Sequence, residues 1–188
     1  RIVGPNCLGL LVPPLGLNAS FAHLQPHRGG LAFIAQSGAI LTSVIDWTRP
    51  RGIAFSHMVS LGDMPDVDFG DLLDYFSTDN DTTAILLYVE MVTHARKFMS
   101  AARIAARTKP VVVIKAGRHA ESASAVASHT GALAGSDLVY DAAFRRAGLL
   151  RVFDLEELFA AVETLAMSAT PSGDRITILT NGGGAGIL

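Results

Sequence analysis

Residues 31–47 read LAFIAQSGAILTSVIDW and contain the parts of a strand–turn–helix unit. The apolar run Leu31–Ala35 has the length of a buried strand. Gln36, Ser37 and Gly38 form the turn, and the residues after it predict an apolar-rich helix over Ala39–Trp47. A strand that runs directly into a helix is the first half of a β–α–β unit.

The alternation of strands and helices continues along the chain. Further strands are predicted at Ala54–Ser60, Thr83–Val89, Val111–Lys115 and Leu149–Phe153. Further helices are predicted at Asp68–Phe76, Ala95–Arg107, Ser136–Arg146 and Leu155–Ala166, with Ser136 or Asp137 and then Asp154 as caps of the last two. This spacing is typical of right-handed crossovers between parallel strands. We therefore predict an α/β fold, a doubly wound parallel sheet of five strands in flavodoxin-like order.

The two ends of the chain carry a different pattern. Residues 1–28 are rich in proline and glycine and have no helical periodicity, although Arg1–Val3 reads as a short strand. Ile176–Thr180 reads as a further strand that enters a glycine-rich turn, Asn181–Gly186. Because this strand has barely reached its loop, we expect the chain to be a slice of a longer protein.

Composition narrows the class of protein. Hydrophobic residues make up 49% and charged residues 17% of the 188 residues, which suits a sheet covered on both faces. No apolar run approaches the roughly 20 residues of a membrane span, and a net charge of −2 gives no reason to expect nucleic acid or a membrane as partner. The single cysteine, Cys7, excludes an internal disulfide framework and suits a reducing cytoplasm. The histidines show no metal-ligand spacing, so we expect no metal site.

The turn after the first strand is a candidate anion site. Free amides and the positive end of the helix dipole meet where Ser37, Gly38 and Ala39 begin the helix, and the Ser37 hydroxyl adds a polar group. These are the groups that bind phosphate at helix N-termini. The alternative is that Ser37 only caps the helix.

A loop of small residues, Ala116–Gly135, follows the fourth predicted strand. Long loops without regular structure are usually functional or disordered. The large polar residue among its small neighbours is His129, flanked by Ser128, Thr130 and Gly131. Neutral imidazole is a good nucleophile near neutral pH, and small neighbours leave room for a phosphoryl group. The alternative is a surface histidine on an exposed loop.

Glu90 ends the third predicted strand and is the third candidate. Since ligands of such sheets bind beyond the carboxyl ends of the strands, Glu90 is expected in the same crevice as Ser37 and His129. Its carboxylate could accept the second imidazole N–H and fix the tautomer. The alternative is a cap for the next helix. Asp63, after the second strand, reads as a turn residue.

These candidates occur in an order that resembles the succinyl-CoA ligase α-chain superfamily, and most closely its NDP-forming acyl-CoA synthetase branch. The resemblance covers essentially the whole chain. It rests on five stretches: Gly4–Gly9 (GPNCLG), Gln36–Gly38, Glu90, Ser128–Gly135 (SHTGALAG) and Asn181–Gly183.

The resemblance implies a division of the chain. Residues 1–28 would be the C-terminal tail of a CoA-binding domain, with Asn6 and Cys7 near the thioester end of coenzyme A. Residues 29–170 would be a flavodoxin-like ligase domain that carries the phosphohistidine loop. Residues 171–188 would begin a second, truncated ligase-like domain.

The resemblance also implies roles. His129 would be the phosphorylated histidine and Glu90 its hydrogen-bonding carboxylate, while Ser37, Gly38, Ala39 and Gly131 would bind the phosphate. The implied substrates are a small acyl-CoA and ATP or ADP with Mg²⁺, the nucleotide bound largely outside this chain by an ATP-grasp domain or subunit. An oligomer in the cytoplasm is expected.

Two alternatives remain open from the residues. Segments such as Leu17–Phe21 and Arg145–Arg151 resemble protein lysine acetyltransferases in which this region is fused to an acetyltransferase domain and serves as an acyl-CoA-binding regulatory module. Those proteins commonly lack the histidine, and this chain keeps His129. A redox flavodoxin is disfavoured because flavin stacking needs well-placed aromatic residues, and the only tryptophan, Trp47, lies in a predicted helix.

Overall fold

One seven-stranded sheet organises the chain. The structure is a computed structural model that describes residues 1–118, 136–167, 173–175 and 177–181. The strands are β1 (Gly9–Val12), β2 (Leu17–Ser20), β3 (His27–Ala35), β4 (Ala54–Ser60), β5 (Ala84–Val89), β6 (Val111–Lys115) and β7 (Leu150–Val152). Their spatial order is β2-β1-β4-β3-β5-β6-β7.

The five strands β3 to β7 form the parallel part of the sheet. β3 lies between β4 and β5, and β6 and β7 follow β5, each pair in parallel register. Numbered among themselves in chain order, these strands take the flavodoxin-like order. The predicted fold class is therefore confirmed. The five predicted strands agree with the observed ones to within one residue at each end, except that β3 begins earlier, at His27.

The N-terminal region adds a hairpin to this sheet. β1 and β2 pair antiparallel, and β1 continues the sheet antiparallel to β4 through Leu10 opposite Val59. The prediction of five strands was therefore too low. Pro13 and Pro14, which lie in a short 3₁₀ turn between the two strands, interrupt the alternation from which a strand is normally recognised.

The two predicted terminal strands are wrong within the described residues. Arg1–Val3 has no strand partner, and its backbone instead binds the chain after β4: the Ile2 amide donates to an Asp66 carboxylate oxygen at 2.6 Å and the Ile2 carbonyl accepts from the Val67 amide at 3.2 Å. Residues 177–180 form no strand, while Ile176 and the turn at 182–186 lie outside the described residues.

Five helices are described, each close to its predicted position. They are α1 (Gly38–Thr48), α2 (Phe69–Thr78), α3 (Ala95–Thr108), α4 (Asp137–Ala147) and α5 (Leu155–Met167). Asp68 caps α2 in a capping box with Asp71, and Asp154 accepts from the Glu157 amide at 2.8 Å in the first turn of α5. None of the helices in these ranges is long and apolar enough to cross a bilayer.

Two apolar layers hold the helices against the sheet. On one face α2, α3 and α4 cover β5 and β6. The rings of Phe98 and Phe144 meet there edge to face, with 6.1 Å between their centroids. On the other face α1 and α5 pack together. The ring of Trp47 stacks on that of Phe159, with 4.3 Å between their centroids. Both faces of the parallel strands are therefore buried, as such a sheet requires.

The turn after β4 fixes the position of the N-terminal segment. Gly62 has φ of +61°, and a Cβ placed on it would lie 2.0 Å from the Pro5 carbonyl oxygen. The Asp63 amide donates to that same oxygen at 3.1 Å. Because only glycine allows this approach, residues 5 and 6 lie directly against the end of β4.

Substitution of Gly62 tests this contact. Gly62→Ala should lower the free energy of unfolding by about 3 kcal/mol, because the added Cβ collides with backbone atoms. Gly52→Ala is the matched control, since Gly52 also has a positive φ of +68° but has no atom within 4 Å of the added Cβ. It should cost only about 1 kcal/mol. Urea unfolding measures both values, and equal losses would show that the close approach has no energetic weight.

Candidate functional site

A pocket of about 450 Å³ opens at the carboxyl edge of the parallel strands. The N-terminus of α1, the residue after β5, the turn after β4 and the N-terminal segment meet there. Its lining includes six of the residues that the sequence singled out: Asn6, Cys7, Ser37, Gly38, Ala39 and Glu90. The fold thus brings these residues together, while their chemical roles stay predictions.

The other two predicted site residues, His129 and Gly131, lie outside the described residues. The chain is described up to Arg118 and again from Ser136, where α4 begins. The described residues on either side of this stretch are those that follow β6 and those that begin α4.

Ser37 occupies the N-cap of α1. Its backbone is extended, and its hydroxyl accepts a hydrogen bond from the Ile40 amide at 3.4 Å. The capping role is therefore real, and Ser37 also lines the pocket. Gly38 and Ala39 are the first residues of the helix, where amides have no acceptor within the helix. These amides and the positive end of the helix dipole make this side of the pocket suitable for an anion.

Gln36 organises the site through a contact that the sequence analysis, which named it only as part of the turn, did not predict. Its side-chain oxygen accepts hydrogen bonds from the Glu90 amide at 3.1 Å and the Met91 amide at 3.0 Å. Only 6% of Gln36 is exposed. The glutamine at the end of β3 therefore fixes the backbone that carries Glu90. A buried pairing across two strands leaves no local pattern, and the position of Gln36 at a strand end is the only signal in the sequence.

Glu90 is buried, with 8% of its surface exposed. The alternative interpretation as a helix cap is wrong, because α3 begins at Ala95 with His94 as its N-cap residue. Burial, followed by the nearby charge of Glu90, raises the pKa of the Tyr88 hydroxyl. The Glu90 carboxylate thus lies close enough to Tyr88 for its charge to act on the phenol.

The N-terminal segment closes the pocket from the side of β4. Asn6 has φ of 55°, and its amide group donates to an Asp63 carboxylate oxygen at 3.1 Å. The Leu8 amide donates to the Ser60 hydroxyl at 3.0 Å, and Leu8 lies against Gly38. Asp63 was predicted as a turn residue only, yet it lines the pocket and orients Asn6.

Lys115, at the end of β6, is a second residue that sequence reasoning missed. It is 5% exposed, and burial lowers the pKa of its ammonium group, an effect that Asp137 opposes. A lysine that completes an apolar run of valines and isoleucine reads from the sequence as the solvent-exposed end of the strand.

Charge is distributed unevenly around the pocket. The described residues that line it include the carboxylates Glu90 and Asp63 but neither lysine nor arginine. An anion would therefore be bound by amides at α1 and not by a side-chain cation of the lining. Within the described ranges no group of three or more His, Cys, Asp or Glu side chains is arranged to bind a metal ion. Trp47, the candidate flavin partner, is absent from the described lining and stacks on α5.

Residues 28–165 match the family model described as the succinyl-CoA ligase like flavodoxin domain. Two similar curated proteins are the ADP-forming acetate–CoA ligase I subunit alpha of Pyrococcus furiosus, at 45% identity, and the ADP-forming acetate–CoA ligase I of Archaeoglobus fulgidus, at 44%. Both matches cover 100% of this chain, and they span 41% and 27% of those proteins.

A solved structure has the same fold. It is the dinucleotide forming acetyl-coenzyme A synthetase 1 of Ca. Korarchaeum cryptofilum in complex with phosphate and ADP, with a TM-score of 0.89 and 41% identity. The match covers 100% of this chain and 41% of that one. The chain thus spans well under half of the relatives to which it is similar.

Gln36→Leu tests the structural account of the site. The change leaves the buried Glu90 amide and the part-buried Met91 amide without this acceptor, so we expect the free energy of unfolding to fall by about 2 kcal/mol. Gln25→Leu is the matched control, since Gln25 is exposed and its side chain has no such role among the described contacts. Urea unfolding of both variants compares them; a loss at Gln36 no greater than at Gln25 would contradict the assignment.

Proposed function

The chain belongs to the family of succinyl-CoA ligase like flavodoxin domains, and from this premise we propose that it is the phosphate-handling part of an NDP-forming acyl-CoA synthetase of the ADP-forming type. The observation that carries the proposal is one pocket lined by both the N-terminus of α1 and the buried Glu90. The names of the similar proteins, which are ADP-forming acetate–CoA ligases, support the same reaction class.

The proposed reaction has three steps. Inorganic phosphate attacks the thioester carbonyl of a small acyl-CoA, which releases coenzyme A and gives an acyl phosphate. His129 then attacks the phosphorus, so that the carboxylic acid leaves and the phosphoryl group is carried on the imidazole. ADP finally takes the phosphoryl group from the histidine and becomes ATP. In the opposite direction the same steps form acyl-CoA from the acid.

Each site residue has a proposed part in these steps. The amides of Gly38 and Ala39, with Ser37 and Gly131, bind the phosphoryl oxygens, and the helix dipole stabilises their charge. Glu90 accepts the imidazole N–H that does not react and stabilises the ring as its charge develops. Asn6 and Cys7 lie beside the thioester end of coenzyme A.

Other parts of the protein would complete the site. We propose that an ATP-grasp domain or subunit binds ADP or ATP with Mg²⁺, and that residues 1–28 are the C-terminal tail of a CoA-binding domain whose remainder lies outside this chain. This chain alone would then not turn over. The assembled enzyme is proposed to be a cytoplasmic oligomer.

Phosphate labelling of the full-length protein tests the proposal. Incubation with ATP labelled at the γ-phosphate and Mg²⁺ should give an acid-labile label that His129→Ala abolishes. His119→Ala, a change of another histidine in the same loop, should retain it. Glu90→Gln should slow labelling by about 100-fold or more, because the neutral amide no longer stabilises the charged ring.

Two outcomes would contradict the proposal. One is the absence of label in the wild-type protein under these conditions, and the other is a label that survives His129→Ala. Transfer of acetyl groups to lysine by the full-length protein, unaffected by His129→Ala, would replace the proposal with the acetyltransferase alternative.

A further inference from the structure

An exposed phenylalanine lines the pocket. Phe21 follows β2 directly, and 89% of its surface is exposed, more than for any other of the nine phenylalanines. A single exposed apolar side chain implies nothing on its own. Phe21 differs because it is part of the pocket lining, where Leu8 is the other large apolar side chain among the described residues. The two therefore form the apolar part of a pocket that is otherwise lined by small and polar residues.

Leu8 joins this apolar surface to the N-terminus of α1. A Cβ placed on Gly38 would lie 3.0 Å from the Leu8 Cβ, so Leu8 lies directly beside the first amides of the helix. The Leu8 side chain also packs against the apolar layer under α1, and its amide donates to the Ser60 hydroxyl at 3.0 Å. Packing and a hydrogen bond thus fix Leu8 next to the candidate anion site.

The backbone holds Phe21 beside Leu8. The Phe21 amide donates to the Leu8 carbonyl at 3.0 Å. Ser20, the residue before, is paired with Gly9 in the hairpin, and Ala22, the residue after, packs against the same apolar layer as Leu8. The Ala22 amide also donates to the Ser20 hydroxyl at 3.1 Å. Because the backbone is constrained on both sides, a ligand that covers the ring would order little of the chain.

The proposed reaction brings an acyl group close to this surface. A phosphate bound by the Gly38 amide must reach the thioester carbonyl, so the acyl chain begins near that amide. Its apolar carbons would be unfavourable against the carboxylates of Glu90 and Asp63, because these charges would lose water. Leu8 lies next to Gly38, and Phe21 lies next to Leu8. The favourable course for the acyl chain therefore runs from the helix end over Leu8 to Phe21.

We propose that Leu8 and Phe21 form the surface that binds the acyl group of the acyl-CoA, and that Phe21 distinguishes longer apolar acyl groups from acetyl. The inference deepens the proposed function and rests on it. An acetyl group is short enough to end at Leu8, whereas a butyryl or phenylacetyl group extends to the Phe21 ring and covers it. The substrate class is thus a thioester of a small apolar carboxylic acid, bound more tightly as its acyl group covers more of the ring.

Substitution of Phe21 in the full-length protein tests this size dependence. Phe21→Ala should lower kcat/KM for phenylacetyl-CoA by about tenfold, because the missing ring no longer contacts the far end of the acyl group. The loss should be smaller for butyryl-CoA and smallest for acetyl-CoA. Phe21→Leu keeps an apolar side chain and should recover part of the loss. A thioester that the wild-type protein does not convert is compared by its inhibition constant against acetyl-CoA.

Leu17→Ala is the matched control. Leu17 is 45% exposed on the same hairpin and is absent from the described lining of the pocket. The change should leave the ratios of kcat/KM among the three thioesters as they are in the wild-type protein. Phosphate labelling of His129 from ATP involves no acyl group and verifies that each variant is folded.

Two results would overturn the inference. One is an equal loss for all three thioesters in Phe21→Ala, because the ring would then contact the coenzyme and not the acyl group. The other is the same size dependence in Leu17→Ala. A wild-type protein that converts none of the thioesters and takes no phosphate label would instead defeat the proposed function, and with it the substrate on which the inference rests.

Discussion

The site depends on one buried side chain, the Gln36 amide, whose oxygen accepts the amides of Glu90 and Met91. This contact links the turn between β3 and α1 to the end of β5, two neighbouring strands of the sheet. An unpaired buried amide costs about 1–3 kcal/mol, so the two hydrogen bonds specify one arrangement of the strand ends. It ties the backbone at the helix N-terminus to the backbone that carries the Glu90 carboxylate, and both line the pocket.

The electrostatics of the pocket follow from this arrangement. Backbone amides at α1 favour an anion, whereas Glu90 and Asp63 repel one. A phosphate bound directly against two carboxylates would be unstable, but an imidazole between the phosphate and Glu90 would satisfy both sides. Under the proposed function, the phosphoryl group carried on His129 would therefore be favoured over free phosphate held against Glu90.

Local patterns in the sequence were sufficient for the parallel strands and the helices, because apolar runs and helix caps are determined by neighbouring residues. They failed for the hairpin of β1 and β2, where Pro13 and Pro14 interrupt the alternation and β1 is held by pairing with β2 and β4. The site shows the same division. Ser37 and Glu90 were recognisable as residues at strand ends, but the bond between Gln36 and Glu90 joins positions 54 residues apart. Lys115 was overlooked because the ring over its ammonium, Tyr140, belongs to a helix that is distant in the sequence.

The central claim is that the N-terminus of α1 is the phosphate-binding side of the pocket. A crystal structure of the full-length protein grown with inorganic phosphate tests it most directly. The account predicts a phosphate whose oxygens accept hydrogen bonds from the amides of Gly38 and Ala39, on the side of the pocket opposite Glu90. A pocket that stays free of the anion while phosphate binds elsewhere, or a phosphate bound without these amides, would contradict it.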